Sequence, residues 1–378
     1  MGRKTGGGTR PGGKSCLRRK REVRPPSASG PDRPKATRKP TAKSRNLSWG
    51  GSELDIRRHP LQVFHMRPTS LARLLPLVLL GAAALRAAPL TVGFSQVGAE
   101  SGWRTANTES IKAEAAKRGV KLIFSDAQQK QENQIKALRS FVAQGVDVIA
   151  FSPVVETGWE PVLREIKQAG IPVVLTDRAV EVSDPKLYAT IIGSDFVEEG
   201  RKAARWLAEK TGGKATIAEL VGTPGSAPAI DRKKGFEEIL RGHPDMKIVL
   251  SQSGDFTRAK GKEVMEAFLK SPEGKNITAL FAHNDDMALG AIQAIEEAGL
   301  KPGKDIIIVS IDGVHDAFVA MTQGKLNCTV ECNPLLGPQL FDLIDAVAAG
   351  KSVPHRVVVK EGVYDQSQAA AALPTRQY

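Results

Sequence analysis

The sequence predicts an α/β protein of two similar halves, each a doubly wound parallel sheet. Three observations carry that reading. From Leu90 onward, short apolar runs without polar alternation take turns with amphipathic stretches of helical length. Such runs mark strands covered on both faces, and the alternation marks βαβ units. The pattern also restarts after Asp195 and repeats its layout without repeating its sequence. Finally, 378 residues hold about two domains of roughly 150 residues once the N-terminus is set aside.

In chain order, Leu90–Phe94 reads as a strand, followed by a small-residue loop that ends on Glu100, Trp103 and Arg104 and then by a helix containing Glu109, Ile111 and Ala115. Lys121–Phe124 is a short strand. Gln131–Gln144 is a helix with Ile135, Leu138 and Val142 on one face, the 3.6-residue period. Val146–Phe151 is a strand, Trp159–Ala169 a helix closed by Gly170, and Ile171–Leu175 a strand ending at Asp177-Arg178. Ala189–Ile192 closes the first half. In the second half, helices are expected at 196–209, 232–241, 259–270 and 287–298. Strands are expected at 216–220, 248–251, 279–281 and 306–310. A strand at 326–331, a helix at 338–348, a strand at 357–359 and a polar tail complete the chain.

The N-terminus is different. Residues 1–65 contain 17 Lys/Arg and 4 Asp/Glu, a net of +13, which equals the charge of the whole chain. Residues 66–378 balance to zero, so the folded part carries no global signature of nucleic-acid binding. Residues 1–65 are rich in Gly, Pro and Ser and poor in apolar residues, a composition that cannot offset its ordering entropy. At Met66 the pattern changes to arginines, then the apolar run Leu74–Leu85, then Ala87-Ala88-Pro89. These are the three regions of a secretory signal peptide, too short for a spanning helix. Because a signal peptide is read at the N-terminus, translation is expected to start at Met66. Residues 1–65 are then an untranslated upstream extension. Arg86 beside the site is unusual, so cleavage is placed only within Arg86–Pro89.

Cys328 and Cys332 are four apart in an expected strand, about 13 Å at 3.3 Å per residue, too far for a disulfide. Both read as ordinary small residues. No nucleophile–base pair, phosphate-binding glycine loop or metal-ligand cluster stands out, so no catalytic residue, cofactor or metal is expected. His283 has no second histidine near it and reads as structural.

Polar residues gather just past strand ends: Glu100, Trp103 and Arg104; Asp177 and Arg178; Asn284; Asp312. Arg232 stands beside a strand–loop–helix junction, and Phe256 follows Gly254-Asp255. In an open α/β sheet the ligand lies outside the carboxyl ends of the strands. Carboxylates, guanidiniums and a carboxamide match hydroxyls, which donate once and accept twice. Aromatic faces pack against the apolar face of a sugar ring. Other roles exist for each: a surface ion pair for Asp177-Arg178, core packing for Trp103, a helix N-cap within Asn284-Asp285-Asp286, and a turn at Asp312-Gly313. Recurrence at strand after strand favours the polyhydroxylated ligand.

The chain resembles the bacterial periplasmic sugar-binding proteins of the ribose/galactose class, the binding components of ABC importers, and within them the galactofuranose-binding type. The resemblance runs from about Pro89 past Gly362 and is carried by APLTVGFSQVGAESGWR, IDRKKGF at 230–236, SQSGDFTRAKGKEVME at 251–266, HNDDMALGAIQAIEEAGLKPGKDI at 283–306 and SIDGV at 310–314. It implies two lobes joined by a three-segment hinge, with crossings near Gly193–Asp195, Glu331–Asn333 and His355–Val358. One lobe would be 89–193 plus 333–355, and the other 194–332 plus 356–378. It places Ser101, Trp103 and Arg104 where pentose binders of this class carry a polar residue and two stacking aromatics. Asp177-Arg178 matches the paired carboxylate and guanidinium for ring hydroxyls, and Arg232, Phe256, Asn284 and Asp312 match the second lobe's ligands. Cys332 stands where ribose binders carry a glutamine. Glu100 and Arg104 are the residues expected to choose the sugar.

The resemblance further implies capture of a monosaccharide, galactofuranose first, by closure of the lobes without covalent chemistry. The partners would be permease subunits and a separate ATPase. The protein itself would be a periplasmic monomer with no nucleic-acid partner and no membrane insertion once the signal is cleaved. A regulator of the lactose-repressor type shares this core fold, but needs a helix-turn-helix before it; residues 1–65 contain no amphipathic helix pair. An enzyme on a doubly wound sheet would need a catalytic constellation that the sequence does not show.

Overall fold

An apolar run with no polar alternate needs cover on both faces, and the chain provides it in the computed structural model, which describes residues 89–378. The first sheet begins with β1 (Thr91–Gln96), β2 (Lys121–Asp126), β3 (Val148–Phe151), β4 (Val173–Thr176) and β5 (Thr190–Gly193). The second comprises β6 (Ala215–Val221), β7 (Met246–Ser253), β8 (Ala279–Ala282), β9 (Ile307–Asp312) and β10 (Cys328–Glu331). Two late strands complete them. β11 (Arg356–Val358) pairs parallel to β5 in the first sheet, and β12 (Val363–Asp365) antiparallel to β10 in the second. The orders are β11-β5-β4-β3-β1-β2 and β12-β10-β9-β8-β6-β7. In each, the order reverses beside the first strand of the half, and a crevice forms at such a point.

The helices are α1 (Gly102–Arg118), α2 (Gln131–Gln144), α3 (Glu160–Gln168), α4 (Phe196–Thr211), α5 (Ala227–Leu240), α6 (Arg258–Lys270), α7 (Asp285–Glu297), α8 (His315–Thr322), α9 (Gly337–Ala348) and α10 (Gln366–Ala372). One face of the first sheet is covered by Phe141, Trp159, Leu163 and Ile166, the other by Ile111, Leu340, Phe341 and Ile344. α9 therefore packs on the first lobe, beside α1, although it follows the strands of the second. In the second lobe Phe236 stacks on Phe281 at 4.0 Å between ring centres. Trp103, carried by α1 of the first lobe, joins the apolar cluster of the second. The two lobes are thus in contact.

The chain changes sheet after β5, after β10 and after β11, through residues 194–195, 332–336 and 359–362. The last crossing falls later than the expected one at 355–358, because Arg356–Val358 still hydrogen-bonds to β5. The segment 356–358 therefore belongs to the first sheet, not to the second lobe.

Three elements were not expected. α8 is eight residues with no side-chain cap at Val314, so its apolar residues carry too little periodicity to read. β12 is three residues long. α10 lay in the supposed polar tail, yet it opens on a capping box in which Asp365 and Gln368 bond each other's backbone, a readable start signal. No helix among the described residues is long and apolar enough to cross a membrane. The expected signal peptide at 66–88 and the basic stretch 1–65 lie outside the described residues.

Candidate functional site

Ser101 is the N-cap of α1, its Oγ accepting the N–H of Arg104 at 3.1 Å. Trp103 and Arg104 therefore occupy the first helical turn, not the loop in which the sequence placed them. A serine there is a favoured cap, and the Gly after it hid the start. Arg104 is 3% exposed. Its Nε donates to Glu100 Oε1 at 3.0 Å, and its Nη2 pairs with Asp177 Oδ2 at 2.7 Å. Burial works against its charge, but Asp177 and Glu100 outweigh it and raise its pKa.

Asp177 and Arg178 follow β4. They are not a surface pair, since both are buried. Asp177 has φ 64, a left-handed conformation unusual for a non-glycine residue, and accepts from Ser152 Oγ at 3.0 Å. Arg178 donates Nη1 to the Val154 carbonyl at 3.1 Å, and its Nη2 lies 3.8 Å from Glu100 Oε1. Burial, then the neighbouring Arg104, pulls the Arg178 guanidinium down to about 10. It stays cationic at neutral pH but is the least compensated of the guanidiniums here. Among the described residues, Arg178 Nε and Glu100 Oε2 are buried without a hydrogen-bond partner, one donor and one acceptor in the same wall.

In the second lobe, α5 begins at Ala227, five residues earlier than expected, with Pro228 in its first turn, where proline is favoured. Arg232 thus lies within the helix. α4 and α5 approach closely because Gly200 and Gly235 face each other's helix; a Cβ at either would strike the opposite backbone. This contact sets Glu199 Oε2 2.7 Å from Arg232 Nε. Arg232 Nη1 donates to the carbonyl of His283 at 2.6 Å, and Nη2 lies 3.7 Å from Asp312 Oδ1. Burial opposes the Arg232 charge, and Glu199 leads the groups that restore it. Burial likewise pushes Asp312 well above the usual carboxylate range, in spite of Arg232. His283 itself is buried with Nε2 3.1 Å from Glu219, a packing role.

Phe256, at φ 62, places its ring over Gly222, where a Cβ would collide with it. Asn284 caps α7: Oδ1 accepts from Met287 N–H at 3.0 Å and Nδ2 donates to the Phe256 carbonyl at 3.1 Å. The cap and the site residue are the same side chain. Asp312 has φ 133. The turn after it is fixed by Asp285, whose Oδ2 accepts the N–H groups of Gly313 and Val314 at 2.7 and 2.9 Å. Three residues of the constellation, Asp177, Phe256 and Asp312, therefore hold strained backbone, a condition that clusters at binding sites.

All ten sequence-derived residues line one small cavity between the lobes, with Pro228 and Cys332 beside them. Pro228 gave no chemical signal. Cys332, read as an ordinary small residue, is part of the wall: its carbonyl accepts from Trp103 Nε1 at 2.6 Å, and its Sγ lies 3.3 Å from Ser194 Oγ. Burial raises its thiol pKa well above normal, so it stays protonated. Glu199, Cys332 and Glu361 bring ligand-type atoms within 4.8 Å of one another, but Arg232 already occupies Glu199. Glu361 Oε1 accepts from Ser194 Oγ at 2.5 Å and from Asn333 N–H at 3.0 Å. One carboxyl thus ties together all three segments that pass between the lobes.

Residues 92–352 match the family model described as a periplasmic binding protein domain. The chain is 56% identical to the galactofuranose-binding protein YtfQ of Escherichia coli (strain K12) over 275 residues, 72% of this chain and 86% of that protein. Among solved structures, it superposes with TM-score 0.74 and 58% identity on the binding component of the arabinose ABC transporter of Shewanella sp. ANA-3, bound to α- and β-L-arabinofuranose; 76% of this chain and 95% of that one are covered. A Mycobacterium smegmatis protein in complex with β-D-fucofuranose gives TM-score 0.75 at 61% identity, with the same coverage of 76% and 95%.

Proposed function

Since the chain belongs to the periplasmic binding protein family, we propose that it is the sugar-capturing component of an ABC importer. It closes its two lobes on one neutral monosaccharide in the furanose form and presents the closed shape to permease subunits served by a separate ATPase. The observation that carries this reading is the cavity wall. Guanidiniums and carboxylates alternate across both lobes, the aromatic faces of Trp103 and Phe256 join them, and Glu100 Oε2 and Arg178 Nε remain to be bonded. A furanose fits this set because its hydroxyls take paired donors and acceptors. The named ligands of the relatives, galactofuranose, arabinofuranose and fucofuranose, support the ring form. Galactofuranose is the first choice.

A sugar touching both lobes stabilises the closed form by its differential affinity. Binding requires no covalent step, and the relatives are transport proteins, which supports neither an enzyme nor a transcription regulator. Export as a monomer through the leader at 66–88 follows from the same reading, and N-terminal sequencing of the exported protein checks it. For binding, calorimetry with methyl galactofuranoside and methyl galactopyranoside is the direct test. Arg178→Ala and Asp312→Ala should each weaken the furanoside at least ~100-fold, the scale of buried charge-assisted hydrogen bonds, with the fold retained by circular dichroism. Undiminished affinity in either variant, or preference for the pyranoside, refutes the assignment.

A further inference from the structure

One side chain bridges the lobes at the edge of the cleft without lining the cavity. Asp286 is the second residue of α7, on the second lobe. Its Oδ2 accepts the backbone N–H of Gly102 at 2.8 Å, and Gly102 is the first residue of α1, on the first lobe. Its Oδ1 is held by Arg258, with Nη2 at 3.0 Å, and Arg258 also reaches Asp316 at 2.9 Å. The first N–H groups of a helix have no partner within it, and the helix dipole favours an anion beside them. Ser101 of the same lobe satisfies one such group in α1, and Asp286 of the opposite lobe satisfies another. Separation of the lobes breaks the second bond and leaves the first intact.

The geometry points to Asp286 as a closure latch, a positioning residue that favours the closed form without touching the sugar. This inference rests on the binding reading above. The apparent dissociation constant varies inversely with the fraction of protein in the binding-competent state. Loss of the latch must therefore weaken every sugar by the same factor and speed its release. Arg258 is 43% exposed and keeps Asp316, so Asp286→Ala strands no buried charge.

The test compares the wild type, Asp286→Ala, Asp286→Asn, Gly102→Pro and the Asp286→Ala/Gly102→Pro double variant. Proline is favoured at the first helical position. Ser101, at φ −146 and ψ 163, already has the extended conformation that a residue before proline needs. L-arabinose and D-galactose are the probes, followed by calorimetry and stopped-flow tryptophan fluorescence. Asp286→Ala should bind both about tenfold more weakly, by equal factors and with faster dissociation. Asp286→Asn, which keeps a side-chain oxygen, should recover part of the loss. In the Asp286→Ala background, Gly102→Pro should cost little more. Wild-type affinity in Asp286→Ala, fully additive losses in the double variant, or unequal losses between the two sugars would overturn the latch. If the wild type binds neither sugar, the binding reading falls. The latch is then judged by small-angle scattering, where ligand-free Asp286→Ala must be more open than the wild type.

Discussion

Glu361 makes the pH dependence of this protein measurable at a single residue. Burial, then the nearby Glu199, raises its carboxyl from the usual 4.5 to about 8. The hydrogen bonds that Glu361 accepts from Ser194 and Asn333 favour the carboxylate and offset only part of that rise. With a folded pKa above the unfolded one, the folded state binds more protons between the two values. Stability is then full below pH 4.5 and is lost progressively as pH rises to 8. A difference of that size corresponds to about 5 kcal/mol, an upper bound, because crossing segments can relax and admit water.

Glu361→Gln tests this, since glutamine keeps the oxygen that Ser194 and Asn333 address and removes the titration. Urea unfolding at pH 5, 7 and 9 should show the variant close to wild type at pH 5. It should become the more stable protein as pH rises, by about 2–5 kcal/mol at pH 9. Raised carboxyls that do not act on Glu361, such as Asp285 at about 6, contribute equally in both proteins and drop out of the difference. A difference that does not change with pH, or a wild type that gains on the variant at pH 9, refutes the reasoning.

Two further substitutions probe the aromatic walls. Gly222→Ala drives a Cβ into the Phe256 ring, so sugar affinity in calorimetry should fall about tenfold, with a stability loss of about 1–3 kcal/mol from overpacking. Trp103→Phe removes the hydrogen bond to the Cys332 carbonyl and should abolish most of the ligand-induced change in tryptophan emission. Its melting temperature should fall by about 2–4 °C for each kcal/mol lost.

The binding residues were legible because each combines a chemical type with a position past a strand end, and both are local properties of the chain. Arg104 and Asp177 could be named that way, but not their 2.7 Å pairing, which depends on how β1 and β4 are ordered. Boundaries were less legible where tertiary contact decides them. Arg356–Val358 is a strand of the first sheet only because β5 offers an open edge. Glu199 and Glu361 were invisible as parts of the site. An acid on an amphipathic helix and an acid in a polar tail look solvated until Gly200 and Gly235 bring α4 onto α5 and the last crossing folds back on Ser194. Asp286 was hidden differently, inside an Asn-Asp-Asp run that reads as one helix cap.

The charge arrangement of the cavity bears on which ligands it refuses. Arg104 faces both Glu100 and Asp177, and Arg232 is paired to Glu199. Only Arg178, among the cavity guanidiniums described, lacks an ion pair shorter than 3.7 Å. An anionic sugar would therefore meet one weakly compensated cation and, beside it, the unpartnered oxygen of Glu100. Two like charges about 4 Å apart at an effective dielectric near 20 repel by about 4 kcal/mol, roughly a thousandfold in affinity. D-galacturonate, which keeps the sugar ring and adds a carboxylate, should accordingly bind at least ~100-fold more weakly than D-galactose in calorimetry. Glu100→Gln should weaken galactose, because an ionised acceptor is lost, and should narrow the gap between the two ligands. If galacturonate binds as tightly as galactose, or if the gap survives Glu100→Gln unchanged, the carboxylates are not what keeps the cavity for neutral sugars.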